Sequence, residues 1–337
     1  MTTLTLDCCV ACGSDALDRE GEWHGYELLE CRRCGLSMTG NPDYNRDRYV
    51  AAYAGDSDAA TLPAEHAHIY TAPERRLTLE LSARVVPPPH LTPAEHRAVA
   101  WIDLHAPLDR LVVDCGCGTG RFLRALKRKR VPARGFELSP ALVAQLRAAG
   151  LDVAHGAAPD FPWTDEPPFA ITFFEVLEHL PDPAAFLAPL RARFPGTHVL
   201  ASVPSPTRVA VLKGNRRPVD YPPNHFLRWT PSALEELFRG LGYGSVQVQV
   251  PPPAGSEVLP GATAAFRRLL RRDPTVGPTS STRARDGAQR LSPFAATAAV
   301  VGGRAYQSLT SVVGLPLARR WAARGASASS MLVLASP

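Results

Sequence analysis

Leu111-Val112-Val113-Asp114-Cys115-Gly116-Cys117-Gly118-Thr119-Gly120 constrains this chain more than any other stretch. An apolar run closes on an acid, three glycines follow at alternate positions, and a helical pattern with Phe122, Leu123 and Leu126 on one face begins at Arg121. Glycine permits a tight turn and lets a ligand approach the backbone where a side chain would collide. The helix start beyond it presents free N–H groups. Strand, glycine loop and helix in this order make the ligand-binding turn of an open α/β sheet, whose ligands lie outside the carboxyl ends of the strands.

The pattern continues downstream. Arg134-Gly135-Phe136-Glu137 is the next strand, and Ser139-Pro140 opens a helix with a capping side chain and a proline in its first turn. Leu151 to Ala154, Phe169 to Phe174 and His198 to Val203 extend the series, helices open at Asp182-Pro183 and Thr230-Pro231, and Ser245 to Val250 alternates as a strand does. This alternation implies an α/β fold, a largely parallel sheet with helices on both faces. Met331 to Leu334 reads as a last strand beside Ser245 to Val250, after an insertion of roughly 80 residues. Four regions result: a cysteine-bearing head over residues 1–40, a helical connecting or lid segment over 41–108, the core over 109–250, and a basic helical insertion with the final strand over 251–337.

The ligand is chosen by spacing. A dinucleotide turn needs Gly-x-Gly-x-x-Gly, and position 121 is arginine. Asp114 sits poorly beside a pyrophosphate but suits the cationic amino group of a methionine moiety, while Glu137 accepts hydrogen bonds from ribose hydroxyls. Together with Phe174-Glu175-Val176-Leu177-Glu178-His179-Leu180-Pro181-Asp182-Pro183 and Pro204, these residues resemble the class I, Rossmann-like S-adenosylmethionine-dependent methyltransferases. The resemblance covers residues 109–250. It implies a Rossmann-like, mostly parallel seven-stranded sheet. It also implies S-adenosylmethionine held by Asp114, Cys115, Gly116, Gly118, Gly120, Glu137, Leu138, Ala158, Asp160 and Glu175. Two positions depart from the family's pattern. Many relatives carry an acid directly after the third strand, where this chain has His155-Gly156-Ala157-Ala158-Pro159-Asp160, so the adenine edge falls to Asp160 or to the backbone of Ala157 and Ala158. The fourth strand starts Phe169-Ala170 in place of Phe-Asp.

Cys9-x2-Cys12 and Cys31-x2-Cys34 are separated by 18 residues, and a glycine follows the second cysteine of each pair. Two such knuckles offer four thiolates to one tetrahedral ion, which predicts a structural zinc ribbon with no open coordination position. A rubredoxin-like iron site or a redox pair are the alternatives, and Cys8 is a spare thiol beside a ligand. The head, followed by Tyr49-Val50-Ala51-Ala52-Tyr53, resembles a bacterial subgroup of these methyltransferases devoted to glycan, lipid or secondary-metabolite building blocks. In that subgroup the tyrosine stretch lies over the cofactor, which would make Tyr53 a cofactor contact; the other reading is a helix packing Tyr49 and Tyr53 into the core.

Methyl transfer from a sulfonium needs an aligned, desolvated nucleophile and, for an oxygen or activated carbon acceptor, a base near neutral pKa. Glu175 to His179 and Asp220 to Trp229 follow the fourth and fifth strands and so face the cofactor side. His225 is the preferred base, with Tyr221 and Glu175 as further catalytic candidates. His225 as a cap or brace for the Thr230 helix, His179 as a support for the turn before Pro181, and Trp229 as core are the structural alternatives. Arg228 could clamp a phosphate or carboxylate.

From Gly261 onward eleven arginines face only Asp273 and Asp286, so this third carries more than the whole chain's net charge of +5. A basic tail suits an anionic partner or a solvated helix face. No signal segment opens the chain, and no run of about 18 apolar residues occurs, so a cytoplasmic protein is expected. The leading expectation is an enzyme acting on a small molecule. An RNA methyltransferase gripping nucleic acid with head and tail, a non-catalytic cofactor-binding protein, and peripheral membrane contact through Phe266 to Arg272 and Pro293 to Arg324 are the alternatives.

Overall fold

The computed structural model describes residues 6–45, 91–107, 109–160, 166–212, 214, 218–258 and 314–337. Tyr53, most of the 41–108 segment and most of the basic insertion lie outside these residues. The chain divides into two compact units, one formed by residues up to Pro251 together with Ser327–Pro337, the other by Pro252–Ala326.

In the first unit the head forms strands β1 (Leu17–Trp23), β2 (Tyr26–Cys31) and β3 (Ser37–Thr39). The β1–β2 hairpin turns on His24 and Gly25, both at positive φ, the geometry that matches strand twist in a two-residue hairpin. Helix α1 (Pro93–His105) follows, with a full capping box between Thr92 and Glu95. The core then alternates: β4 (Val112–Cys115), α2 (Arg121–Arg128), β5 (Ala133–Glu137), α3 (Pro140–Ala148), β6 (Val153–His155), β7 (Ala170–Phe174), α4 (Pro183–Arg193), β8 (His198–Pro204), the short α5 (Val209–Leu212), β9 (Leu227–Arg228), α6 (Pro231–Gly240) and β10 (Ser245–Gln249). The last strand, β11 (Ser330–Ser336), returns from the second unit.

The expected seven-stranded sheet is present, in the order β10-β11-β8-β7-β4-β5-β6. β8, β7, β4, β5 and β6 run parallel, and β11 is antiparallel to both neighbours. Met331 to Leu334 does pair beside Ser245 to Val250, and it also separates that strand from β8. Side-chain alternation sets the two faces. Val112, Leu200 and Leu332 pack with Ala98, Ile102, Phe122 and Leu126 of α1 and α2. Val113, Phe173, Ala201 and Val333 pack with Leu187, Leu190, Leu234 and Phe238 of α4 and α6.

That second cluster also contains Cys9, Cys31, Cys34, Leu36 and Met38 of the head. The head's sheet is four-stranded, β1-β2-β3-β9, and takes its last strand from the core, with Ser37 opposite Arg228 and Met38 opposite Leu227. Apolar residues at these positions therefore bury against the large sheet's own side chains, where a module of this size has little interior of its own.

The second unit shows α7 (Gly255–Val258) packed against α8 (Leu315–Ala322).

Candidate functional site

The glycine loop leaves β4 at the carboxyl edge of the parallel strands. Gly116 sits at φ +73°, and a Cβ there would stand 2.8 Å from Val176 Cγ2, so both the turn and the close approach demand glycine. The N–H groups of Gly116 and Cys117 both donate to the Phe136 carbonyl, at 2.8 and 3.0 Å. Gly120 caps α2 in the left-handed conformation and provides no side-chain bond, which leaves the first N–H groups of that helix facing the loop.

Asp114 is buried at the end of β4, and Thr172 Oγ1 donates to it at 2.8 Å. Burial pushes its carboxyl up to about 7, helped by the charges of Glu95 and Glu137 and opposed by the Thr172 bond and Arg121. Glu137, also buried, accepts the Ser139 N–H at 2.9 Å and the Gly118 N–H at 2.9 Å. Burial raises its pKa too, against those backbone bonds. Leu138 is half-buried, and its carbonyl meets His155 Nε2 at 3.0 Å; Cys115 and Ala158 are buried, and Asp160 is exposed on the short 3-10 turn Ala158–Asp160. Asp114, Cys115, Gly116, Gly118, Gly120, Glu137 and Leu138 thus come from one strand–loop–helix–strand unit.

Glu95 is an acid that sequence reasoning missed. Its side chain closes the capping box of α1 and also accepts from Arg121 Nε at 2.6 Å, tying α1 to the first residue of α2. The capping pattern Thr92-x-x-Glu95 was readable. Its reach to the glycine loop was not.

Glu175 follows β7 with φ +56°, a left-handed conformation unusual for a side-chain-bearing residue and of a kind that gathers at functional sites. Its carboxylate accepts from Ser202 Oγ at 2.8 Å and from Ser330, and burial raises its pKa. Glu178 is fully buried, and neither carboxylate oxygen has a hydrogen-bond partner among the described residues. Burial, with Glu175 nearby, drives its pKa well up. His179 does not brace the turn at Pro181 alone; its Nδ1 lies 2.6 Å from the Asn224 carbonyl, and its ring meets that of His225 edge-on at 4.8 Å. Ligand atoms of Glu178, His179 and His225 lie within 4.8 Å of one another, close enough to hold one cation or, through a bridging water, to relay a proton. Thr230 caps α6 with its own hydroxyl, so His225 is not that cap.

His225 lines a cavity of about 200 Å³. Pro204, the last residue of β8, places this cavity at the same edge of the sheet as the glycine loop. Glu20 and Ser37 enter from the head, Arg208 from the segment after β8, and Arg228 and Trp229 from β9 and its exit. Arg208 pairs with Asp220 at 2.5 Å, and Arg228 donates to Glu20 at 3.2 Å and to Ser37. Tyr221 stacks on Trp23 at 4.4 Å, with the Arg228 guanidinium 5.3 Å above the tyrosine ring. Trp229 is buried core, as its alternative reading had it.

The four cysteines of the knuckles converge. Gly13 and Gly35 turn back to the carbonyls of Cys9 and Cys31 at 2.8 Å in the same left-handed geometry. Sγ of Cys9 lies 3.5 Å from that of Cys34, Sγ of Cys12 lies 3.5 Å from that of Cys31, and all four lie within 4.8 Å of one another. A tetrahedral zinc with bonds of about 2.3 Å requires sulfur–sulfur edges of about 3.8 Å, so the set fits such an ion. Cys8 is exposed and outside the cluster.

Residues 93–248 match the family model described as a methyltransferase domain. The chain is 36% identical over 101 residues to the ubiquinone biosynthesis O-methyltransferase of Alkalilimnicola ehrlichii, a stretch covering 28% of this chain and 41% of that protein. It is 29% identical over 151 residues, 44% of this chain and 57% of the other, to a protein of Mycolicibacterium smegmatis named a probable S-adenosylmethionine-dependent methyltransferase. The chain therefore spans about two fifths to under three fifths of the length of these curated relatives. Among solved structures, a SAM-dependent methyltransferase from Archaeoglobus fulgidus aligns with a TM-score of 0.43 at 14% identity, over 72% of this chain and 94% of that one. No described helix is long and apolar enough to cross a membrane.

Proposed function

We propose that this chain is an S-adenosylmethionine-dependent methyltransferase acting on a small-molecule acceptor. The observation that carries the reading is the pair of buried acids, Asp114 and Glu137, on either side of a glycine loop in which a Cβ at Gly116 would collide with Val176. A largely buried acidic setting, with Arg121 its nearby cation, favours a cationic ligand, and the bound sulfonium supplies an electrophilic methyl group. Asp114 takes the amino group of the methionine moiety and Glu137 the ribose hydroxyls, with Cys115, Gly116, Gly118, Gly120 and Leu138 shaping the bed, Ala158 and Asp160 beside the adenine, and Glu175 bounding the methionine end.

The acceptor occupies the cavity beside His225. At about 200 Å³ it lies below the ~300–1,000 Å³ of sites for drug-sized ligands, which favours a compact acceptor group over a polymer. His225 withdraws the acceptor's proton, and Glu178, whose pKa burial holds well up and whose oxygens have no hydrogen-bond partner among the described residues, lies close enough to relay that proton through one bridging water. Tyr221 and Arg228 orient the acceptor. Cys9, Cys12, Cys31 and Cys34 hold a structural zinc. Free thiols throughout the described residues suit a reducing compartment, in keeping with a cytoplasmic enzyme.

The test is calorimetric titration with S-adenosylhomocysteine, followed by its production from S-adenosylmethionine with candidate acceptors. His225→Asn should cut turnover while leaving cofactor affinity intact. No measurable binding of either cofactor form by the purified protein would end the proposal.

A further inference from the structure

The cysteine-bearing sheet and residues 220–230 form one structural element made from two distant pieces of chain. β9 completes the head's sheet, and Thr39 binds the Phe226 carbonyl twice, through its N–H at 2.9 Å and its hydroxyl at 3.1 Å. The second knuckle reaches the same place. The Thr230 hydroxyl donates to the Cys34 carbonyl at 2.6 Å and accepts the Ala233 N–H at 3.1 Å, so a single side chain joins a cysteine knuckle to the start of α6. A Cβ on Gly35 would stand 3.3 Å from the Thr230 methyl, so the two backbones approach closely there. Farther along the seam, Trp23 stacks on Tyr221 and Arg228 donates to Glu20. The glycine loop is anchored differently: its bonds run to Phe136, Glu137 and Thr172, all within the large sheet.

A two-residue strand such as β9 cannot hold itself, because an edge pairing this short needs a rigid template. β3 is that template, and β3 begins three residues after Cys34. We propose that the four-cysteine centre governs the acceptor half of the site and leaves the cofactor half alone. With metal held, the second knuckle fixes β3, β3 fixes β9, and His225, Arg228 and Trp229 stand around the cavity. Without it, residues 220–230 lose their template. Thr230 is the positioning residue at the joint. The inference rests on the cavity being the acceptor site only for its effect on catalysis.

The experiment is hydrogen–deuterium exchange on the full-length, zinc-loaded protein, before chelation, after chelation and after zinc is restored, with zinc counted by elemental analysis. Residues 26–39 and 220–230 should lose protection together and regain it with zinc, while residues 112–138 keep theirs and S-adenosylhomocysteine affinity holds. Persistent protection of 220–230 after 26–39 opens would overturn the proposal. So would opening of the glycine loop alongside it, or a purified protein that holds no zinc. Thr230→Val should open 220–230 with one zinc still bound, and Thr230→Ser should restore it; equal protection in all three proteins would remove the role given to Thr230. Methyl transfer measured in parallel separates the two readings, since opening of 220–230 with turnover unaltered would discard the acceptor cavity and leave the coupling in place.

Discussion

Asp114 and Glu137 stand at the ends of neighbouring strands within one strand–helix–strand unit, and their partners are mostly backbone groups and a buried hydroxyl. Ser37 and Arg228, which meet across the seam between head and core, are 191 residues apart in the chain, and a two-residue backbone ladder there is joined by side chains paired with side chains. The half proposed to hold the cofactor is a local motif, built from one turn and its flanking strands. The half proposed to hold the acceptor is complete only once the head has docked, so its geometry depends on long-range assembly. Each half should therefore fail separately, and the failures should be of different kinds.

The largest separation is expected from Asp114→Ala. It removes a buried charge-assisted partner for a cationic ligand, a loss of up to roughly 3 kcal/mol or about a hundredfold in affinity. Calorimetry with S-adenosylhomocysteine should show it, and Glu137→Ala should act in the same direction. Exchange protection of residues 220–230 should not change in either variant. If both bind the cofactor as the parent does, the assignment of the glycine loop is wrong.

Glu178→Gln tests the other half. Cofactor affinity should stay constant while kcat falls by about a hundredfold, the lower end of what general acid–base catalysis contributes. Burial holds the Glu178 carboxyl well above its ordinary range, and glutamine cannot ionise, so the limb of the kcat/KM profile that reports this acid should disappear in the variant. A merely structural Glu178 would reduce the amount of active protein and leave the shape of the profile unchanged.

The same contrast explains what could be read in advance. The α/β class, the three proline-led helix starts at Ser139, Asp182 and Thr230, and the last strand beside Ser245 to Val250 all follow from local rules of capping and alternation, and the structure has them. The cysteine knuckles were equally plain, because spacing alone brings four sulfurs together. The completion of the head's sheet by Leu227–Arg228 was hidden, since two residues carry no periodic signal. Glu178 was hidden for another reason: an acid beside a histidine reads as solvated until its burial is known. Glu95 announced a helix cap and nothing of its second contact at Arg121.

A smaller effect distinguishes the halves by pH. Asp114 rises from the ordinary carboxyl value of 3.8 to about 7 in the folded chain, so its neutral form favours the ligand-free fold. That contribution is fully present below about pH 4 and is lost as pH rises through about 7. A cationic ligand selects the ionised carboxylate, so its affinity should climb by up to tenfold per pH unit below pH 7 and level off above it. Titrations in buffers of different ionisation enthalpy should detect the released proton between pH 6 and 7. In Asp114→Asn that proton release should be absent, whatever affinity remains.

The smallest effect is expected at the rim of the seam. Arg33 and Glu236 pair at 3.0 Å, with side chains 58% and 32% exposed, and an ion pair this open to solvent contributes only about 0–1 kcal/mol. Arg33→Ala should therefore lower Tm by no more than about 4 °C, since 1 kcal/mol shifts a chain of this size by about 2–4 °C or less. Protection of residues 220–230 should survive, because Ser37, Met38 and Thr39 still pair with the backbone from Phe226 to Arg228. A larger fall, accompanied by opening of 220–230, would mean that charge holds the head to the core and that the backbone ladder of β3 and β9 follows from it. The metal would then act on the acceptor half by placing Arg33, which lies between two of its four ligands, Cys31 and Cys34, and the order of cause along the seam would be reversed.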